Sequence, residues 1–325
     1  MSSEIELLVR IASLYYEQGI NQNEIAEILN IERSRISRLL LQARSKGLVQ
    51  FHVVDPSRRD HDLNDRLQQA FCLQQAVVFE TLSIPDHQIK KTIGLVAADY
   101  LASVLKDGDV LAISWGETIY HTVHSLSTSL PRSVVVVPSV GGSGLISPAY
   151  QVNEIARQAA VSLGGFSRTL YAPAFVESPA ARDALLATRD IQTIVDLWKS
   201  ATVALVGIGK SPFLYRASSR VDLQFGQFYL FPHEHQELLE QGVAGDINAR
   251  FFDQQGRELN ATIHQRTLGM TLEELQRVPR VIAVAGGVSK VDAIMAALNG
   301  QILDVLITDS LTARSLLGRL ELKDG

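Results

Sequence analysis

Several kinds of residue and pattern are scarce in this sequence, and each scarcity excludes something. There is one cysteine, Cys72, so no internal disulfide can form and no thiolate metal cage can be assembled from a single chain. That usage suits a reducing, cytoplasmic setting. Long apolar runs are missing: the longest, such as Val134–Val137 and Val281–Ala285, are strand-length, whereas a membrane span needs about 20 apolar residues. The opening MSSEIELLVR carries two glutamates where an export signal carries positive charge, so no export signal and no membrane partner are expected. No large excess of one charge exists either. Thirty basic residues against 35 acidic ones leave −5, which argues against a chain coated along its length by nucleic acid.

What remains is an ordinary folded composition. The 325 residues are 46% hydrophobic and 20% charged, enough for about two domains with sizeable cores. The charge is unevenly spread. Residues 1–59 hold eight basic and seven acidic side chains, while residues 60–325 hold 22 and 28. Inside the first segment Arg33, Arg35, Arg38, Arg44 and Lys46 stand in a stretch with no acidic residue. Most charge runs are solvated helix faces, so the surrounding pattern has to decide what this one does.

In the first fifty residues, Ile5, Leu8, Val9, Ile11, Ala12 and Tyr15 recur at helical spacing and predict a helix ending near Gly19. Asn21 with Glu24 forms an Asn version of a capping box, opening a short helix with Ile25, Ala26, Ile28 and Leu29 inward. Asn30 and Ile31 make a turn. A third helix runs from about Arg33 to Ser45, burying Ile36, Leu39, Leu40 and Ala43 and stopping at Gly47. Leu48–Val54 reads as a strand, one arm of a wing. Helix, short helix, turn and basic helix make a helix-turn-helix, whose last helix enters the major groove of DNA. Arg33, Ser34, Arg35, Ser37 and Arg38 face outward near its start, where arginine can bond a guanine edge and serine a base or phosphate. A single such unit reads few base pairs, so paired half-sites and an oligomer are expected.

The run NQNEIAEILNIERSRISRLLLQARSKGLV resembles the DNA-binding head of the SorC/DeoR-type sugar-responsive bacterial regulators. In that family the recognition helix begins with a Ser or Thr cap and contains Val-Ser-Arg. Here Ile36-Ser37-Arg38 supplies the core and Glu32 stands at the cap.

Pro56, Ser57, Arg58 and Arg59 break the periodicity, placing a hinge near residues 55–60. The expected domains are a DNA-binding head over 1–55, a linker and oligomerisation helix over 56–74 (its pattern running from Asp62 to Phe71), and an effector domain over 75–325. In the last, short strands alternate with helical stretches: Ala76–Phe79, Val110–Ser114, Val134–Pro138, Thr169–Ala172, Val203–Val206, Val281–Ala285 and Val305–Ile307, with helices such as Val291–Leu298 and Leu311–Leu317. This alternation predicts a doubly wound, mostly parallel α/β sheet, with ligands beyond the carboxyl ends of its strands.

Five of those ends draw notice. Gly116-Glu117-Thr118 opens a helix with backbone amides and a hydroxyl suited to a phosphate. The loop holding Gly141 and Gly142 lets backbone approach a ligand, as do Gly207 and Gly209. Gly245-Asp246 precedes Phe251-Phe252-Asp253, and Gly286-Gly287-Val288-Ser289-Lys290 opens another helix. Each alone is more often a plain turn; together they mark one polar ligand site. The segments AISWGETIY, VPSVGG, LVGIG, GVAGDINARFFD and VIAVAGGVSKVDAIMAALNGQILDVLITD resemble, in order, blocks of the same family's effector domain. The resemblance implies a fold similar to sugar-phosphate isomerases and CoA transferases, used to sense a phosphorylated sugar or polyol, and a homodimer or homotetramer on DNA. No cofactor is expected. By motif, Gly116, Glu117 and Thr118 would hold the phosphate, Asp246 the sugar hydroxyls, and Lys290 the phosphate or a carbonyl group. Members that bind bisphosphates have an arginine before the second block's Gly-Gly. Val140 stands there in this chain, favouring one phosphate.

Other patterns are weaker. Ala204–Ser211 fits a permissive phosphate-loop pattern, with Pro212 directly after it. His233 and His235, and His121 with His124, have spacings that metal sites use but lack further ligands, so no metal is expected. An alternative to the regulator is an enzyme: a sugar-phosphate isomerase or aldolase-like protein with an appended head, using Lys290 as a Schiff-base amine and Glu117 or Asp246 to move protons. A basic recognition helix has no use in such an enzyme, and no catalytic residue is assigned.

Overall fold

The structure is a computed structural model that describes residues 3–49, 59–81, 86–127, 132–144, 147–210 and 230–321. The chain divides into two compact units, Met1–Val54 and Asp55–Gly325.

In the first unit α1 (Ser3–Ala12) widens into a π turn over Ser13–Glu17, followed by α2 (Gln22–Leu29) and α3 (Arg33–Ser45). The Asn21 side chain accepts from the amides of Asn23 and Glu24, and the Glu24 carboxylate accepts in turn from the Asn21 amide. These bonds satisfy amides that the first turn of α2 would otherwise leave open. Asn30, at φ 51, turns the chain toward α3, and Gly47, at φ 71, follows its end. Most of the periodicity is realised in the packing: Ile11, Ile25, Ile36 and Leu40 form one buried cluster, Leu8, Ala12 and Ala43 another. Ile28, expected inward, is instead 54% exposed, and Leu39 is half-buried. Each fully buried Ile or Leu contributes about 1.5–3 kcal/mol. Leu48 and Val49 belong to no strand, because the chain bends there; the rest of the expected wing arm, residues 50–54, lies outside the described residues.

The second unit opens with α4 (His61–Phe71). Expected within a linker and oligomerisation segment, it contributes its inner face to this unit's core. Leu63 and Leu67 are buried in the cluster that holds Ala204, Ala283 and Leu306. The sheet is fully parallel and seven-stranded: β1 (Gln75–Phe79), β2 (Val110–Ile113), β3 (Val135–Pro138), β4 (Phe166–Ser167), β5 (Val203–Gly207), β9 (Val281–Val284) and β10 (Val305–Asp309), in the order β1-β10-β9-β5-β2-β3-β4. A small antiparallel sheet, β6 (Gly209–Lys210), β7 (Gly245–Ile247) and β8 (Arg250–Phe252), is inserted between β5 and β9.

Helices cover both faces, so alternate residues of one strand feed different cores. Ala112, Val137, Ala204, Ala283 and Leu306 enter one, against α4, α9 (Arg189–Lys199) and α12 (Val291–Asn299). Leu111, Val136, Leu205, Ile282 and Ile307 enter the other, against α5 (Asp86–Val104), α6 (Glu117–His124) and α7 (Val152–Leu163). The doubly wound reading holds, with one correction. Thr169–Ala172 is not a strand: pairing with β3 is used by Phe166 and Ser167, and the chain then leaves the ladder toward an isolated bridge between Pro173 and Gly142.

The strand order fixes where a ligand can sit. From β2 the chain winds outward through β3 and β4, then returns to the other side of β2 as β5 and continues to β9 and β10. The connections above β2 and β5 therefore leave in opposite directions and open a crevice between them.

Candidate functional site

That crevice is a cavity of about 200 Å³, several times the ~30 Å³ share of one water. Gly116 leaves β2 at φ 118 and ψ 163, a conformation open to glycine, and serves as N-cap of α6. Glu117 and Thr118 follow at the cavity wall, where the first helical amides and the positive end of the helix dipole favour an anion. From β5, Gly207 and Gly209 line the adjoining wall. Gly209 pairs with Asp246 across β6 and β7. A Cβ on Gly209 would lie 1.9 Å from Asp246 Oδ1, so glycine there makes room for the carboxylate.

Asp246 lines the cavity beside Lys290. Burial raises its pKa to about 6, opposed by the charge of Lys290 and a bond from the Ala249 amide. Its strand runs into a tight hairpin in which Asn248 and Ala249 both have positive φ, 55 and 59. Asn248 also lines the cavity. Its Oδ1 accepts from Ser139 Oγ at 2.9 Å, while its buried Nδ2 has no partner among the described residues.

Lys290 closes the single 3₁₀ turn Val288–Lys290 before α12, and its Nζ donates to the Ile208 carbonyl at 2.6 Å. A buried carboxylate positions that turn. Asp309, at the end of β10, accepts from the Gly287 amide at 2.8 Å and from the amide and hydroxyl of Thr312. Gly286 must be glycine for this, since its Cβ would stand 2.4 Å from Asp309 Oδ2.

The crevice thus brings together Gly116, Glu117, Thr118, Gly207, Gly209, Asp246 and Lys290. Gly141 and Gly142 are not in its lining. Their amides bond to the carbonyls of Leu268 and Ala172, and a Cβ on Gly141 would meet the Pro173 backbone at 2.4 Å. Gly141 lets two segments cross closely, while a Cβ on Gly142 would meet nothing nearer than 3.5 Å. Lys90 was not singled out in the sequence. It reaches the cavity from α5, and its Nζ lies 2.5 Å from Glu117 Oε2. In the sequence it is one cation of a Lys-Lys pair with nothing to mark it as more than a solvated face. Glu117 Oε1 is also 4.0 Å from His121 Nε2, whose pKa burial lowers against the pull of that carboxylate.

The phosphate-loop pattern at Ala204–Ser211 has no matching structure through Lys210. After β5 the chain enters β6, whose Lys210 pairs with Gly245, rather than a helix; Ser211 lies outside the described residues. Phe231 and His233 stack with ring centroids 5.8 Å apart. Among the described residues no group of three or more His, Cys, Asp or Glu could hold a metal ion, and no helix is long and apolar enough to cross a membrane.

In the first unit α3 exposes Arg33, Ser34, Arg35 and Arg38, with Ser37 half-buried. Glu32 makes no capping bond; its carboxylate accepts instead from Ser34 Oγ at 3.2 Å. Arg38 Nε donates to the Ser34 carbonyl at 3.4 Å, drawing that side chain back along the helix.

Comparison with known proteins agrees with both units. The sugar-binding domain family matches residues 55–318, and sigma-70 region 4 matches residues 10–46. The chain is 34% identical to the sorbitol operon regulator of Klebsiella pneumoniae, over 97% of this chain and 99% of that protein. It is 33% identical to the deoxyribonucleoside regulator of Bacillus subtilis (strain 168), over 97% and 98%. The crystal structure of the full-length sorbitol operon regulator SorC superposes with a TM-score of 0.75, covering 98% of this chain and 100% of that one at 33% identity. A head that matches a DNA-binding region, a second unit that is a sugar-binding domain, and relatives that span the whole length converge: the chain belongs to the SorC/DeoR-type family of sugar-binding transcriptional regulators of carbohydrate operons.

Proposed function

We propose that this regulator changes its affinity for operator DNA when a phosphorylated sugar or polyol enters the crevice between β2 and β5. The observation that carries the reading is the convergence there of a helix N-terminus, the Lys290 ammonium and the Asp246 carboxylate. The first two suit a phosphate, with charge-assisted hydrogen bonds worth about 1.5–3 kcal/mol each. The carboxylate repels a phosphate and suits sugar hydroxyls, which donate to it. Gly207 allows a ligand to approach the backbone closely, and Gly209 makes room for the Asp246 carboxylate that meets it. Gly141 then serves the packing of the fold, and neither it nor Gly142 contacts the ligand.

On the DNA side, Arg33, Ser34, Arg35, Ser37 and Arg38 contact the operator, with the arginines nearest the base edges. Two copies or four bind together, since one head reads only a half-site. The protein acts in the cytoplasm, where its operator is. The crevice senses its ligand and does not convert it.

The test is operator affinity measured against rising concentrations of phosphorylated sugars and polyols. Lys290→Ala is expected to lose the response to phosphorylated ligands far more than to their unphosphorylated parents, and Asp246→Ala to blunt discrimination among sugars. Both variants keep wild-type affinity for DNA without ligand. A Lys290→Ala protein that responds like wild type, or turnover of any ligand in the panel, overturns the reading.

A further inference from the structure

Glu117 is an awkward residue for a phosphate site. It is the first residue of α6, so its carboxylate springs from the same turn whose amides and dipole attract an anion. A phosphate dianion arriving there meets a negative charge already in place. The cation that would offset both is also already taken: Lys90 Nζ lies 2.5 Å from Glu117 Oε2, and both side chains line the cavity. The other charged groups of the lining are Lys290 and Asp246, and His121 stands 4.0 Å from the second oxygen of Glu117.

The pair is not locked. Lys90 and Glu117 are 45% and 37% exposed, and ion pairs this open to water are weak. A phosphate carries up to twice the charge of the carboxylate and three oxygens for the ammonium to bond. It can therefore take the lysine, while the Glu117 side chain swings toward water or His121.

We propose that Glu117 is a built-in competitor for the effector's phosphate, occupying Lys90 until ligand arrives, and that Lys90 is the second cation of the phosphate subsite. This rests on the crevice being a phosphate site. It reverses the role that motif resemblance gives Glu117: its backbone helps to hold the phosphate and its side chain opposes it. Lys90 projects from α5, so ligand occupancy would also be felt by a helix that contributes to the core.

The two side chains give effects of opposite sign. The probes are inorganic phosphate, D-glucitol 6-phosphate and unphosphorylated D-glucitol, titrated into the full chain at matched ionic strength and followed by calorimetry and thermal shift. Lys90→Gln should weaken both phosphorylated probes by about tenfold or more, and Lys90→Arg should retain most of the binding. Glu117→Gln should tighten both by about threefold or more. D-glucitol should respond equally to wild type and variants. Both residues are too exposed for either change to prevent folding, and the ligand-free melting temperatures check this. Weakened or unchanged phosphate binding in Glu117→Gln overturns the proposal, as does unchanged binding in Lys90→Gln. If wild type binds the phosphorylated probes and Lys290→Ala abolishes that while the Lys90 and Glu117 variants match wild type, only this inference falls. If wild type binds neither phosphorylated probe, the phosphate reading of the crevice falls and takes the inference with it.

Discussion

Replacing Gly209 by alanine adds one methyl group and should disable Asp246 without touching it. The new Cβ would stand 1.9 Å from Asp246 Oδ1 and 2.8 Å from its Cγ, where ordinary contact begins at 3.4 Å. The carboxylate must retreat by about 1.5 Å, roughly half the length of a hydrogen bond. Gly209 is not among the positive-φ glycines, so the backbone accepts alanine and the pairing of β6 with β7 survives. What is lost is a charged acceptor for ligand hydroxyls, worth about 1.5–3 kcal/mol, or about 10- to 150-fold in affinity. Calorimetric titration of the best-bound phosphorylated polyol should show this loss in Gly209→Ala. It should show almost no further loss when Gly209→Ala is placed in an Asp246→Ala background, because the methyl then meets no carboxylate. Such non-additivity is the mark of two changes acting through one group. Wild-type affinity in Gly209→Ala, or losses that simply add, would refute the reasoning.

Three further outcomes follow from the geometry. Arg35→Ala or Arg38→Ala should weaken operator binding by about 1–3 kcal/mol at physiological salt if the side chain reads a base; two variants with unchanged affinity would remove α3 from the groove. Burial raises Asp246 to about pH 6, so the fold favours its neutral form. Its contribution to stability is present below the ordinary carboxyl value and is lost as pH rises through 6. Asp246→Asn should therefore gain on wild type in chemical denaturation between about pH 4 and pH 7; a gain that shrinks with pH would contradict this. Arg266 and Glu234 form a buried pair at 2.6 Å, fastening α10 (Pro232–Glu240) to the turn at Thr262–Arg266. Arg266→Ala leaves Glu234 buried and uncompensated, which should cost about 3–5 kcal/mol by denaturant unfolding, and a loss below about 1 kcal/mol would show the pair to be relieved by water.

The parts legible in the sequence are those where local chemistry and packing agree. Residues 33–45 form α3 as the spacing of Ile36, Leu40 and Ala43 requires, because nothing distant competes with that stripe. The strand ends around Gly116, Gly209 and Lys290 converge because a parallel sheet collects its carboxyl ends on one edge. Thr169–Ala172 shows the limit of pattern. Leu170 and Ala172 are buried and Tyr171 is exposed, so the alternation is real, yet alternation reports an extended chain and not a partner strand. Gly141 and Gly142 have the composition of a ligand loop, but Gly141 is needed where Pro173 crosses, a contact between distant segments that no local window contains. Lys90 was illegible for the converse reason. Only the packing of α5 beside α6 brings it to Glu117; Gly94 belongs to that approach, since its Cβ would meet His121 at 2.5 Å.

The pairing of β1 with β10 has a consequence for synthesis. Among the described strands, Gln75–Phe79 has its ladder with Val305–Asp309, which the ribosome makes about 230 residues later. At roughly 5–20 residues per second, the apolar segment Ala76–Phe79 waits on the order of 10–50 seconds after emerging. During that interval it is an unsatisfied strand edge and a target for chaperones or for neighbouring chains on the same message. A transcript cut before the codon for Val305 yields a chain that loses more than its last strand. It also deprives β1 of its only sheet neighbour among the described strands and leaves Leu63 and Leu67 of α4 without Leu306, so premature termination should be read out as degradation of the whole sugar-binding unit rather than as a shortened regulator.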